Sequence, residues 1–192
     1  MKSLNFHIRG ISPTILHNGQ LSDPSNKWSR LLSEETSKDT DAKKVDANIE
    51  ARQHIEWLGS LYLNNDQRVI WPGENIIACI VGGSNIKARR KFKAAVDVID
   101  DSEVIYKGPK DLEELWKDPN FRIVKSAKVG KARIIRCRPI FRLWELKFVV
   151  MFNELVVSET EVKSAVNTSG ISVGLSDWRP RFGRFEVLEV TK

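Results

Sequence analysis

The eighteen residues from Gly170 to Val187, GISVGLSDWRPRFGRFEV, hold three glycines, three arginines and three aromatics. Arg179, Arg181 and Arg184 are planar, permanently charged and able to fork onto phosphate oxygens. Gly170, Gly174 and Gly183 permit positive φ and let backbone N–H groups approach a ligand closely. Trp178, Phe182 and Phe185 can stack on bases or fill the core beneath the loop. Two readings follow. The stretch is an anion-binding loop, or it is a glycine-rich turn between a helix and an edge strand with its arginines solvated.

Two further cationic groups weigh on that choice. In NIKARRKFK, residues Lys87, Arg89, Arg90, Lys91 and Lys93 place five cations within seven positions. They cannot all meet acidic partners on their own helix, which favours a phosphate-facing patch over a solvated face. In VKSAKVGKARIIRCRPIFR, Lys125, Lys128, Lys131, Arg133, Arg136, Arg138 and Arg142 crowd together. Residues 86–142 carry sixteen basic and eight acidic side chains, whereas residues 22–66 carry six and nine. One polarised basic region in a mildly acidic remainder points to a polyanionic partner. The candidate contacts to nucleic acid are Lys87, Arg89, Arg90, Lys91, Lys93, Lys128, Lys131, Arg133, Arg136, Arg138, Trp178, Arg179, Arg181 and Arg184.

Nothing comparable supports catalysis. His7, His17 and His54 lack metal-ligand spacing and there is no CxxC pair. No nucleophile elbow, dinucleotide fingerprint or Walker lysine occurs. The acid pairs Asp100-Asp101 and Glu113-Glu114 are explained as solvated ends of a turn and a helix. The expectation is a protein without catalytic residues, metal or cofactor.

The elements that must carry these residues alternate between strand and helix patterns. Leu4, Phe6 and Ile8 lie on one face of an opening strand over residues 3–16, with Asn5, His7 and Arg9 on the other. Asp23-Pro24 reads as a helix start with Trp28, Leu31 and Leu32 inward. After a polar stretch from Ser33 to Lys44, a second helix is expected from about Asp41 to Gly59. RVIWPGENIIACIVG predicts a strand, a Pro-Gly turn and a helix broken at Gly82-Gly83. NIKARRKFKAAVDVI then resumes a helix. SEVIYKGP reads as another strand, and DLEELWKDPN as a short helix stopped by Pro119. The basic stretch runs on into Trp144, Leu146, Phe148, Val150 and Phe152, a core-facing strand after a hairpin. Ser158 and Glu161 form a capping box for a helix burying Val162, Ala165 and Val166, with Gly170 as its C′ residue. FEVLEV closes the chain as a strand.

A chain of 192 residues, 41% of them hydrophobic, reads as one domain spanning 1–192 with residues 22–66 as a helical insertion after the first strand. Cys79 and Cys137 sit in apolar runs and read as buried free thiols. MKSLNFHIRG lacks an apolar h-region and no run is long enough for a membrane span, so a cytoplasmic protein without membrane contact is expected. The fold class read from this order is α+β, a ferredoxin-like (RRM-type) antiparallel sheet.

Three separated segments, taken together, resemble the RAMP superfamily, the repeat-associated proteins of CRISPR effectors. HIRGISPTILHNG is similar to the family's first strand and loop. VIWPGENIIACI is similar to its Pro-Gly strand-to-helix segment, with Glu74-Asn75 where a serine pair usually stands. GISVGLSDWRPRFGRFEV is similar to its C-terminal glycine-rich loop. The same layout also resembles a set of uncharacterised phage and prophage proteins, in keeping with a bacterial host. The resemblance implies a ferredoxin-like fold that binds single-stranded RNA or DNA across a basic surface, with copies stacked head to tail as a homo-oligomer along the strand. In one branch an aspartate in the loop after the first strand cleaves target RNA with metal. Asp23 occupies that general place, in a LSDPSN context unlike the branch's pattern, and reads as a helix cap. The alternatives to strand binding are an RNA endonuclease acting through Asp23, and a phage protein whose basic face docks on an acidic host protein.

Overall fold

Alternating apolar and polar residues at the start of the chain build the central strand of the main sheet. The computed structural model describes residues 1–37, 45–129 and 132–192, with the side chains of 45–48, 127–129 and 132–133 outside the description. The strands are β1 (Lys2–Gly10), β2 (Thr14–Ile15), β3 (Ile70–Trp71), β4 (Val96–Asp97), β5 (Ser102–Glu103), β6 (Arg122–Val129), β7 (Ala132–Phe141), β8 (Glu145–Phe152) and β9 (Phe185–Thr191). The helices are α1 (Lys27–Ser37), α2 (Val45–Ser60), α3 (Gly73–Gly83), α4 (Arg89–Ala95), α5 (Leu112–Lys117) and α6 (Glu159–Ser172). The molecule is therefore α+β with antiparallel sheets. Among the described residues no helix is long and apolar enough to cross a membrane.

The chain divides into two compact units. The first comprises Met1–Ile15, Leu63–Lys107 and Phe141–Lys192. Its four-stranded sheet has the order β4-β8-β1-β9, with antiparallel pairing throughout. Cross-strand partners share a face, so the register Leu4↔Val150, Phe6↔Phe148 and Ile8↔Leu146 stacks buried side chains into one layer. Phe6 and Phe148 lie 5.6 Å apart in a stacked pair. Helices α3 and α6 pack against each other, and α6 against β9. A Cβ at Gly83 would fall 2.4 Å from Ala165 O, which is why a glycine stands where these helices meet. Burying residues such as Ile76, Ile80, Val162 and Val166 stabilises the layer by roughly 1.5–3 kcal/mol each.

The second unit comprises Leu16–Tyr62 and Gly108–Ile140. Here α1 and α2 pack together, and β6 pairs with β7 in a hairpin from Arg122↔Pro139 to Val129↔Ala132. Trp57 is fully buried, donates through Nε1 to Phe121 O at 2.9 Å, and meets Trp116 edge-on. The carboxylate of buried Glu56 accepts from Arg136 Nη1 at 2.9 Å and from Cys137 N at 2.8 Å, fastening α2 to β7. Both helices expected in 24–59 belong to this unit, alongside residues 108–140.

Several local expectations change. The first helix begins at Lys27 because Asp23 Oδ1 accepts from Ser25 N and Ser25 Oγ, holding a turn, while Asn26 Oδ1 accepts from Trp28 N. The expected start of the second helix, at Asp41, lies outside the described residues. The helix after Gly83 is confined to Arg89–Ala95, because the β-branched Val96 and Val98 favour the extended backbone that enters β4. The capping box at Ser158 and Glu161 is present, but α6 runs past Gly170 to Ser172. Gly170 is a close-packing residue, whose Cβ would fall 2.3 Å from Phe185 O, and the left-handed turn comes at Gly174.

Candidate nucleic-acid interface

The C-terminal loop begins where α6 ends, at Val173. Gly174 and Gly183 take φ of +80° and +76°, and Leu175 N donates to Gly183 O at 2.8 Å, closing the loop on itself. The rest of its backbone is fastened to the segment after β1. Gly183 N donates to Pro13 O, Asp177 N to Ile15 O, and Arg184 N to Ser12 Oγ. Thr14 Oγ1 donates to Leu175 O at 2.6 Å, and Ile15 N to Ser176 Oγ at 2.8 Å. Trp178 sits at φ +57°, a left-handed conformation that bulky residues rarely adopt, and its ring meets Phe182 edge-on at 6.0 Å.

This scaffold holds Arg179, Arg181 and Arg184 in solvent. Glu186, one of two nearby acids, is taken by Arg9, whose Nη2 and Nε lie 2.6 and 3.0 Å from its Oε1. Among the described residues none of the three loop arginines has an ion pair. Phe185 is buried and meets Trp144 edge-on, so it belongs to the core; Trp178 and Phe182 are half-buried.

The 87–93 run meets the end of α3, which in turn meets Val173 at the start of the loop. Arg89 Nη2 donates to Gly82 O at 3.4 Å, and a Cβ at Gly82 would meet Val173 Cγ1 at 3.1 Å. Lys87, Arg90 and Lys93 are exposed and have no ion pair among the described residues. Lys91 differs: its Nζ lies 2.6 Å from Glu161 Oε1. Burial pushes the Cys79 thiol up to about 11, with a hydrogen bond to Ser169 and then the charge of Arg179 pulling it back.

The cations expected in 125–142 are placed differently. Arg136 is bound to Glu56, and Arg138 is 6% exposed, so neither side chain faces solvent freely. Lys131, and the side chains of Lys128 and Arg133, lie outside the described residues. Burial, and then the Glu56 charge, push the Cys137 thiol up to about 12. Both cysteines are buried free thiols.

Asp23 is exposed, and its hydrogen bonds from the Ser25 side chain and backbone hold its carboxyl below the ordinary carboxylate range. Among the described residues no three His, Cys, Asp or Glu side chains are grouped to hold a metal. Sequence reasoning missed the charged network on the open face of the sheet. There His7 Nε2 lies 2.7 Å from Glu145 Oε2, next to the Arg9–Glu186 pair. Alternation in NFHIRG put His7 and Arg9 on that face, but their partners come from strands over 130 residues away.

No protein-family model matches this chain, and no curated protein matches it significantly.

Proposed function

We propose that the protein binds single-stranded RNA or DNA through its phosphate backbone, using the C-terminal loop and the 87–93 run. The observation that carries this reading is the set of three exposed arginines on a pinned loop whose neighbouring Glu186 is already occupied. A guanidinium without a protein partner, on a backbone that needs no reordering, is prepared for an external phosphate. Trp178 and Phe182 supply rings at the same place for stacking on or separating bases.

The ferredoxin-like (RRM-type) fold is part of this proposal. In chain order, β1, α3, β4, β8, α6 and β9 make a βαββαβ series, and numbering its strands one to four gives the sheet order 2-3-1-4. In RRM modules aromatics on the open sheet face stack bases. Here that face carries Asn5, His7, Arg9, Lys147 and Val149, so the strand is assigned to the helix and loop side. Self-assembly along the strand, implied by the RAMP resemblance, is proposed with it.

Fluorescence anisotropy of a labelled single strand across a salt series tests the reading. The logarithm of affinity should fall by roughly 0.7 per log unit of salt for each phosphate neutralised, with little sequence preference. A flat titration overturns it. Sedimentation with and without a long strand tests the assembly, and a monomer in both overturns that part.

A further inference from the structure

The first unit also holds a cleft of about 720 Å³ between α3 and the α4–β4 segment. On the α3 side it is lined by Glu74, Ile77, Ala78, Val81 and Gly82, one stripe of the helix. The stripe is about 12 Å long, eight steps of about 1.5 Å rise. The opposite wall runs the other way. Arg89 reaches Gly82 O at one end, and Lys93 follows one turn along α4. At the other end Asp97 lies near the start of α3, where a Cβ at Gly73 would fall 2.3 Å from Val98 O. The cleft therefore has Arg89 at one end and Glu74 with Asp97 at the other, while Lys93, one turn along α4 from Arg89, and Met1 also line it. Between them the surface is apolar or small.

That polarity selects its occupant. A dicarboxylate is repelled by Glu74 and Asp97, and a diamine by Arg89 and Lys93. A ligand that suits both ends carries a compact anion, a flat apolar body and hydrogen-bond donors at the far side. We propose that this cleft binds a nucleoside 5′-monophosphate with an amino-bearing base. The phosphate meets Arg89 and Lys93, and the base lies along Ile77 and Ala78. The exocyclic amine donates to Asp97 or Glu74. One Asp97 oxygen already accepts from Val98 N at 2.8 Å, and the other is available to accept. This activity is separate from strand binding, although Arg89 and Lys93 belong to both.

Calorimetry with AMP, UMP and adenosine tests it on the unaltered protein. AMP should bind at least about tenfold more tightly than UMP, which lacks the amine, and than adenosine, which lacks the phosphate. Equal binding of AMP and UMP, or no heat at millimolar AMP, overturns the proposal. In Glu74→Ala/Asp97→Ala the preference for AMP over UMP should collapse while the affinity for a single-stranded oligonucleotide is retained. A preference that survives the double substitution also overturns it. Because neither acid belongs to the proposed strand surface, loss of oligonucleotide binding in the unaltered protein would sink strand binding alone.

Discussion

The open face of the sheet and the C-terminal loop are both exposed and both rich in charge, yet they treat it in opposite ways. On the sheet, antiparallel pairing sets residues of neighbouring strands side by side, and two of its acids, Glu145 and Glu186, are held in pairs there. His7 faces Glu145, and Arg9 faces Glu186. The segment that the loop is fastened to, residues 12–15, carries no acid, so Arg179, Arg181 and Arg184 stand in solvent with no ion pair among the described residues. Exposure and charge count do not distinguish these two regions. Pairing does, and it decides which cations have an interaction left to make with a phosphate.

The largest expected effect breaks the loop itself. Gly183 has φ +76°, and a Cβ there would fall 2.3 Å from Leu175 O. Gly183→Val meets both backbone strain and a clash with a fixed carbonyl, so a loss of about 3 kcal/mol or more is expected. Urea unfolding measures it; a midpoint equal to that of the unaltered protein would show that the loop is not held as described. The same substitution at Gly19 should cost far less, because nothing lies within 4 Å of a Cβ there.

Next in size is the loss of the unpaired charge. Arg181→Ala/Arg184→Ala should weaken binding to a single strand about tenfold or more. It should also lower the salt slope by roughly 1.4, at about 0.7 for each phosphate contact removed. The melting temperature should stay within a few degrees, since neither side chain is buried. Unchanged affinity in the folded variant would reduce the loop to a turn.

How much of this was legible in the sequence depends on the range of each interaction. Period-2 alternation in β1 and β8, the Ser158–Glu161 capping box and the Pro-Gly entry to α3 are local patterns, and the structure contains them. The three loop arginines could be named in advance, and so could positive φ at Gly174 and Gly183. What could not be read was partnership across long separations. Arg136 looked like any other cation of its run until Glu56, eighty residues earlier, was placed against it. Gly170 looked like a helix stop because its contact with Phe185 O is tertiary. Asp23 was expected to cap a helix, yet its hydrogen bonds to Ser25 close a turn before the helix starts.

A smaller effect is expected on the sheet. Arg9→Ala removes a surface pair with both side chains about half exposed, which contributes about 0.2–1 kcal/mol to stability. Strand affinity should not fall. A drop comparable to that of the loop double variant would mean that the paired face also contacts the strand, and the distinction would fail.

The finest test lies inside the basic run, where Lys91 is paired and Arg90 is not. Glu161 accepts from Lys91 Nζ and from Ser158 N and Oγ. These bonds, the one from Lys91 foremost, bring its carboxyl from the ordinary 4.5 down to about 2. A carboxylate lowered by folding contributes stability that is present in full above its unfolded value. That contribution fades as pH falls from about 4.5 and is gone near 2. Glu161→Ala should therefore cost about 1 kcal/mol at neutral pH, the usual size for a lost cap, and the gap from the unaltered protein should narrow steadily below pH 4.5. Lys91→Ala should reproduce part of that pH-dependent loss and leave strand affinity nearly intact. Arg90→Ala should do the reverse, weakening binding with no pH-dependent change in stability. Thermal melts from pH 7 to pH 3 beside binding isotherms separate the two cations. If Lys91→Ala weakens binding as much as Arg90→Ala does, pairing is not what divides structural cations from binding ones.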